Sequence, residues 1–105
     1  MPSLQAARGY QTKAATISTA AVAISAAGWS WTAGYLALAD QAVITVHTNG
    51  ATLTWDGTTP TATLGRLVAA GETITVKGNA NVQALQLIRS GGADAVVSVT
   101  LEKFS

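Results

Sequence analysis

From Ala42 onward, polar and apolar positions alternate with a period of two in short runs separated by turn-forming residues, the pattern of strands with one face in a core. In Val43-Ile44-Thr45-Val46-His47-Thr48, Ile44 and Val46 fall on one face, Thr45 and His47 on the other. Ala51, Leu53 and Trp55 share a face of the next run, and Asn49-Gly50 stands between the two runs. This spacing predicts a β-hairpin over residues 43–55 closed by a type I′ turn. Asp56 to Pro60 is a second turn, and Pro60, unable to donate to a ladder, takes the chain out of the sheet. Thr61 to Ala69 reads as an irregular or edge crossing. Thr73 to Lys77 alternates with Ile74 and Val76 inward, and Gly78 to Asn81 reads as a loop. Val82 to Arg89 carries apolar residues on both faces and is predicted to be a central or interface strand. After a turn at Ser90 to Asp94, the last strand runs from Ala95 to Leu101 with Val97, Val99 and Leu101 on one face.

Before Ala42 the alternation is shorter. Ala14 to Ser18 and Ala21 to Ser25 read as two further strands, although their alanines also permit a helix. Residues 1–12 show no alternation and are expected to form an N-terminal arm, with residues 13–105 as the domain. Turn signals at intervals of about 8–12 residues point to an all-β fold, a small β-sandwich or jelly-roll-like single domain. The uncharged run from Ala14 to Ala39 is long enough to span a bilayer. Threonine, serine and glycine interrupt it about every third residue, so it is not expected to do so. Arg8 and Lys13 ahead of that run, with Ala37-Leu38-Ala39 as a small-x-small triplet, also outline a secretory signal. The strand reading is preferred to it.

Composition narrows the function. Only 10% of the 105 residues are charged, against about 25% in ordinary soluble domains, while 49% are hydrophobic and the net charge is +1. Such a surface has little electrostatic protection against association, so much of it is expected to be covered by neighbouring subunits. Arg8, Lys13, Arg66, Lys77, Arg89 and Lys103 are scattered singly, which disfavours nucleic-acid binding, a task for clustered cations. The chain has no cysteine, which removes thiolate chemistry and Cys-ligated metals together.

The inventory for catalysis is thin. His47 is the single histidine, and its strand phase puts it on the outer face. The carboxylates Asp40, Asp56, Glu72, Asp94 and Glu102 lie in separate turns and strands, with Asp56 and Asp94 placed to satisfy their own turn backbones. No phosphate-binding glycine motif or acidic metal-ligand run occurs, so neither enzyme activity nor a cofactor nor a metal is expected. The candidate residues are for contact with partners: Tyr10, Trp29, Trp31 and Tyr35 as aromatic interface groups or as a plug at one end of the sandwich. Arg66 and Arg89 are candidates for bidentate contacts to a neighbour's carboxylates, or else solvated strand-edge charges.

The string Trp55-Asp56-Gly57-Thr58-Thr59-Pro60-Thr61-Ala62-Thr63-Leu64-Gly65, followed by Ala70 to Val76, resembles small proteins encoded among the structural genes of tailed bacteriophages. Leu85 to Ala95, leading into Ser98-Val99-Thr100, is similar to the C-terminal signature of the same group, so the resemblance spans about residues 43–101. It implies a β-sandwich or jelly-roll virion protein made in the host cytoplasm, such as a capsid decoration or cement protein. Such proteins sit on the outside of the head, often as trimers, with the major capsid protein or other virion proteins as partners. The alternative role is a tail, neck or adsorption-apparatus module that binds a partner or a carbohydrate through exposed aromatics. No membrane or nucleic-acid partner is expected.

Overall fold

A computed structural model describes residues 7–104 and contains eight strands. These are β1 (Ala7–Ile17), β2 (Val22–Ala23), β3 (Gln41–Thr48), β4 (Ala51–Thr54), β5 (Arg66–Val68), β6 (Thr73–Lys77), β7 (Gln86–Arg89) and β8 (Ala95–Phe104). Two short helices, α1 (Tyr35–Leu38) and α2 (Asn79–Gln83), and a 3-10 turn over Ala27–Trp29 complete them. Sheet A has the order β1-β8-β3-β6 and sheet B the order β2-β7-β4-β5, and every pairing is antiparallel. Eight antiparallel strands in two four-stranded sheets with this order make a jelly roll. The fold is therefore all-β, as the alternation predicts. No helix among the described residues is long and apolar enough to cross a membrane.

The inward faces of the two sheets form one apolar cluster. Sheet A contributes Ile17, Ala42, Ile44, Val46, Val97, Val99 and Leu101, and sheet B contributes Leu53, Val68 and Leu87. The alternation along β8, buried at Ala95, Val97, Val99 and Leu101, is what a strand between two neighbours and above a core requires. Burying each of Val97, Val99 and Leu101 contributes roughly 1.5–3 kcal/mol. Lys13, opposite Val99 on β1, is on the inward phase of an edge strand, where a charge discourages further strands from adding.

Four expectations are corrected. β3 and β4 do not form a hairpin, because they belong to different sheets and Asn49-Gly50 carries the chain from one to the other. A type I′ turn needs positive φ at both central residues, and here Asn49 has φ 59 while Gly50 is not in that region. Gly50 instead accepts a hydrogen bond from the Ser90 amide at 2.9 Å, and a Cβ there would collide with the Ser90 side chain. Second, residues 82–89 are not one strand. α2 places Val82 inward, Leu85 follows three residues later at helical spacing, and only then does β7 resume a period of two with Leu87.

Third, residues 7–12 are not part of an arm: they form the first half of β1, paired with β8 from Ala7↔Phe104 to Thr12↔Thr100. Residues 1–6 lie outside the described residues. Fourth, the segment read as strand over residues 21–25 pairs only at Val22 and Ala23. Residues 27–38 form the 3-10 turn and α1, tied to α2 by Asn79, whose Nδ2 donates to the carbonyls of Leu36, Ala37 and Ala39 at 3.3, 3.1 and 2.8 Å.

Beyond β4, residues 56–65 fold back over the outer face of sheet B. Thr52 Oγ1 donates to the Ala62 carbonyl at 3.3 Å and Thr54 Oγ1 to the Thr58 carbonyl, so both threonines are buried on what would otherwise be a solvent face. Gly65, at φ +130, allows the approach: a Cβ there would lie 2.7 Å from the Leu53 carbonyl oxygen and 2.8 Å from Thr52 Cγ2.

Candidate interaction sites

The four aromatic candidates fall into two pairs. Trp29 is buried at 1% exposure and stacks on Trp31 with ring centroids 5.9 Å apart and planes 10° from parallel. It is a core residue, so its expected role as an exposed interface group is corrected. Its indole N–H has no hydrogen-bond partner among the described residues, a cost of about 1–3 kcal/mol that its apolar burial offsets. Trp31 is half-buried and its Nε1 donates to the Ile24 carbonyl at 3.0 Å. One face of Trp31 is thus spent on Trp29 and its polar edge on the backbone.

Tyr10 and Tyr35 form the second pair, edge to face at 5.3 Å and 75°. The register between β1 and β8 slips between Gly9 and Gln11, and Tyr10 is the extra residue of this bulge. A bulge re-aims a side chain: the Tyr10 hydroxyl reaches back to donate to the Tyr35 carbonyl at 2.7 Å. Next to it, Gln11 accepts from the Thr32 amide at 3.0 Å and donates to the Thr32 hydroxyl at 2.8 Å, which holds the 30–35 segment against β1. Partial burial, then the nearby Asp40 charge and Tyr35, push the Tyr10 pKa up from its ordinary value.

Beside this pair lies a cleft of about 450 Å³ at one end of sheet A. Arg8 and Lys103 stand directly opposite each other across β1 and β8 and both line it. Leu38 and Phe104, 49% and 40% exposed, line it as well. The nearby Asp40 carboxylate accepts a hydrogen bond from the Phe104 amide at 2.8 Å. Sequence reasoning picked out Tyr10 and Tyr35 but not this cleft. Arg8 is 95 positions from Lys103, and only the pairing of the first and last strands joins them.

Arg66 and Arg89 are not brought together with the aromatics. Arg66 is exposed on β5 at the edge of sheet B. Arg89 is already paired with Asp94 at 2.7 Å across the 90–94 turn, with both side chains partly solvated, an interaction worth about 1 kcal/mol or less. Asp94 therefore serves Arg89 through its carboxylate, while its carbonyl accepts from Asn49 Nδ2 at 2.7 Å. Asp56 does satisfy its own turn: it accepts from the Thr58 amide at 3.0 Å, and that bond holds its carboxyl below its ordinary pKa.

The outer face of sheet A is a regular surface four strands wide. Register places Thr12, Thr100, Val43 and Thr75 in one row across the four strands, and Ala14, Ser98, Thr45 and Thr73 in the next. No side chain in these two rows carries a charge. Hydroxyl pairs tie neighbours together, Thr12 with Thr100 at 2.8 Å and Thr45 with Thr73 at 2.9 Å. His47, exposed as its phase predicts, meets the Ser98 hydroxyl at 2.8 Å on this open face. A nucleophile needs more than a base within reach, namely a group that orients the base and donors for an oxyanion. His47 has no carboxylate partner among the described residues. No group of three or more potential metal ligands occurs among the described residues. No family model, curated protein or solved structure matches the chain.

Proposed function

We propose that this chain is a structural protein of a virus particle, a decoration or cement subunit that oligomerises and binds the outside of a phage head. The observation that carries the reading is the outer face of sheet A. Two full rows across its four strands are threonine, serine, alanine and valine, free of charge, with the charged Glu102 and Lys77 confined to the next row beside Gln41. These two rows lose little on desolvation, because four of their hydroxyls already bond to one another and no ion within them has to be stripped of water. The jelly-roll order of the strands and the resemblance across residues 43–101 support the same role, and the trimeric state rests on the resemblance. The alternative, a tail, neck or adsorption module with Trp29, Trp31 and Tyr35 as sugar-stacking groups, is less well supported because Trp29 is buried.

The test is co-sedimentation of the purified chain with phage heads stripped of it. Wild type is expected to pellet with the heads. The double variant Ala14→Glu, Thr75→Glu changes two exposed outer-face positions on the two outermost strands of sheet A. It is expected to keep its melting behaviour and to bind at least about a hundredfold more weakly, since buried unpaired charges cost several kcal/mol. A wild-type chain that stays a lone monomer and never pellets with particles would refute the proposal.

A further inference from the structure

The cleft at the end of sheet A has features that neither the core nor the outer face explains. Arg8 and Lys103 are cross-strand partners, and like charges placed directly opposite in an antiparallel pair repel. Among the described residues, Arg8 and Lys103 are the charged groups that line the cleft, and no carboxylate lines it. The nearby Asp40, which accepts from the Phe104 amide, offsets at most one of the two positive charges. Leu38 and Phe104 stand half-exposed at the same opening, with Tyr10 and Tyr35 behind them fixed by their own contact and hydrogen bond. β1 is also the outermost strand of sheet A, with no strand on its other side among the described residues, and such an edge can take up an extended segment beside Arg8 to Tyr10.

From this we infer that the cleft is a docking site for an extended peptide segment of a partner protein, one that carries a carboxylate next to apolar side chains. Arg8 and Lys103 take the carboxylate, and Leu38 and Phe104 cover the apolar groups. An acidic saccharide fits less well, because the Tyr10 hydroxyl is already committed and the other walls are apolar. The inference deepens the assembly reading by naming the chemistry of the partner at one site, and it rests on that reading for the partner's being a protein.

Fluorescence anisotropy tests it on the full chain without any particle. The probes are a fluorescein-labelled N-acetyl-Glu-Leu-Asp-Phe peptide amide, its isosteric Gln-Leu-Asn-Phe counterpart, and a labelled oligogalacturonate. The acidic peptide is expected to bind at least about fivefold more tightly than the neutral one, a preference that shrinks with added salt, as for two exposed ion pairs. Arg8→Gln with Lys103→Gln should abolish the preference, and Phe104→Ala should weaken both peptides alike. Equal binding of the two peptides, absence of saturable binding, or preference for the oligogalacturonate overturns the inference. Because no head particle enters the assay, these outcomes leave the co-sedimentation result to decide the assembly reading separately.

Discussion

Replacing Gly65 by alanine tests whether the 56–65 segment is clamped onto sheet B or merely lies near it. Two costs follow from the geometry. At φ +130 a residue with a side chain is strained by about 1–3 kcal/mol. The new Cβ would also sit 2.7 Å from the Leu53 carbonyl oxygen, 2.8 Å from Thr52 Cγ2 and 3.0 Å from Thr54 Cγ2. Two of these atoms belong to threonines whose hydroxyls are bonded to the same loop, and the third is backbone, so none yields cheaply. Overpacking of this kind adds about 1–3 kcal/mol. Against this stands the lower chain entropy of unfolded alanine relative to glycine, about 0.4–1 kcal/mol. The net expectation is a loss of roughly 2–5 kcal/mol, a large share of the ~5–15 kcal/mol typical of a domain. Gly57→Ala is the matched control: its φ is +90 and a Cβ there meets nothing within 4 Å, so only strain and entropy remain, with a net effect of about 1 kcal/mol or less. Urea denaturation followed by tryptophan fluorescence gives both values. If Gly65→Ala costs no more than Gly57→Ala, the loop is not held against β4 as described.

Two other outcomes are expected. Trp29→Ala should cost about 3–5 kcal/mol in the same denaturation assay, as a large core truncation does. Trp31→Ala should cost clearly less, and Trp29→Phe, which removes the unpartnered N–H, should fall between wild type and Trp29→Ala; equal losses for the Trp29→Ala and Trp31→Ala variants would contradict their different burial. Tyr10 should ionise above the ordinary tyrosine range, which tyrosinate absorbance can follow site by site in Tyr10→Phe and Tyr35→Phe variants. Its raised folded-state pKa favours the neutral phenol in the native state. The stabilisation is therefore fully present below about pH 10 and is lost as pH rises from there through the folded value; a titration at or below the ordinary range would refute the assigned surroundings.

Alternation made most of sheet A readable in the sequence. Ile44, Val46, Val76, Val97, Val99 and Leu101 are buried, and Ile74 packs partly buried against the same core, as their phase requires. What was not readable depends on contacts between distant residues. Asn49-Gly50 serves a hairpin or a passage between sheets equally well, and only Ser90 and Asp94, some forty residues away, decide which. Thr52 and Thr54 look like solvent-facing residues until the returning loop covers them. Val82, Leu85 and Leu87 contain the signal for a helical turn before β7, a spacing of three followed by one of two, which a uniform strand reading passes over. Of the candidate interface residues, Tyr10 and Tyr35 meet each other, Trp29 belongs to the core, and Arg89 is paired within its own turn. The charged half of the cleft had no local signal, because Arg8 and Lys103 meet only through the closing strand pair.

β8 follows the seven other described strands in sequence, yet it lies between β1 and β3 in sheet A. Until residues 95–104 have emerged, β1 has no neighbour in its sheet and β3 only β6. This half of the sandwich therefore cannot be completed before those residues are made, and removing residues 95–104 would take out the middle of a sheet rather than trim its margin. The same arrangement brings Ala7 beside Phe104, so joining these two residues through a short linker and opening the chain at the exposed Gly91-Gly92 turn should leave every described strand with its present neighbours.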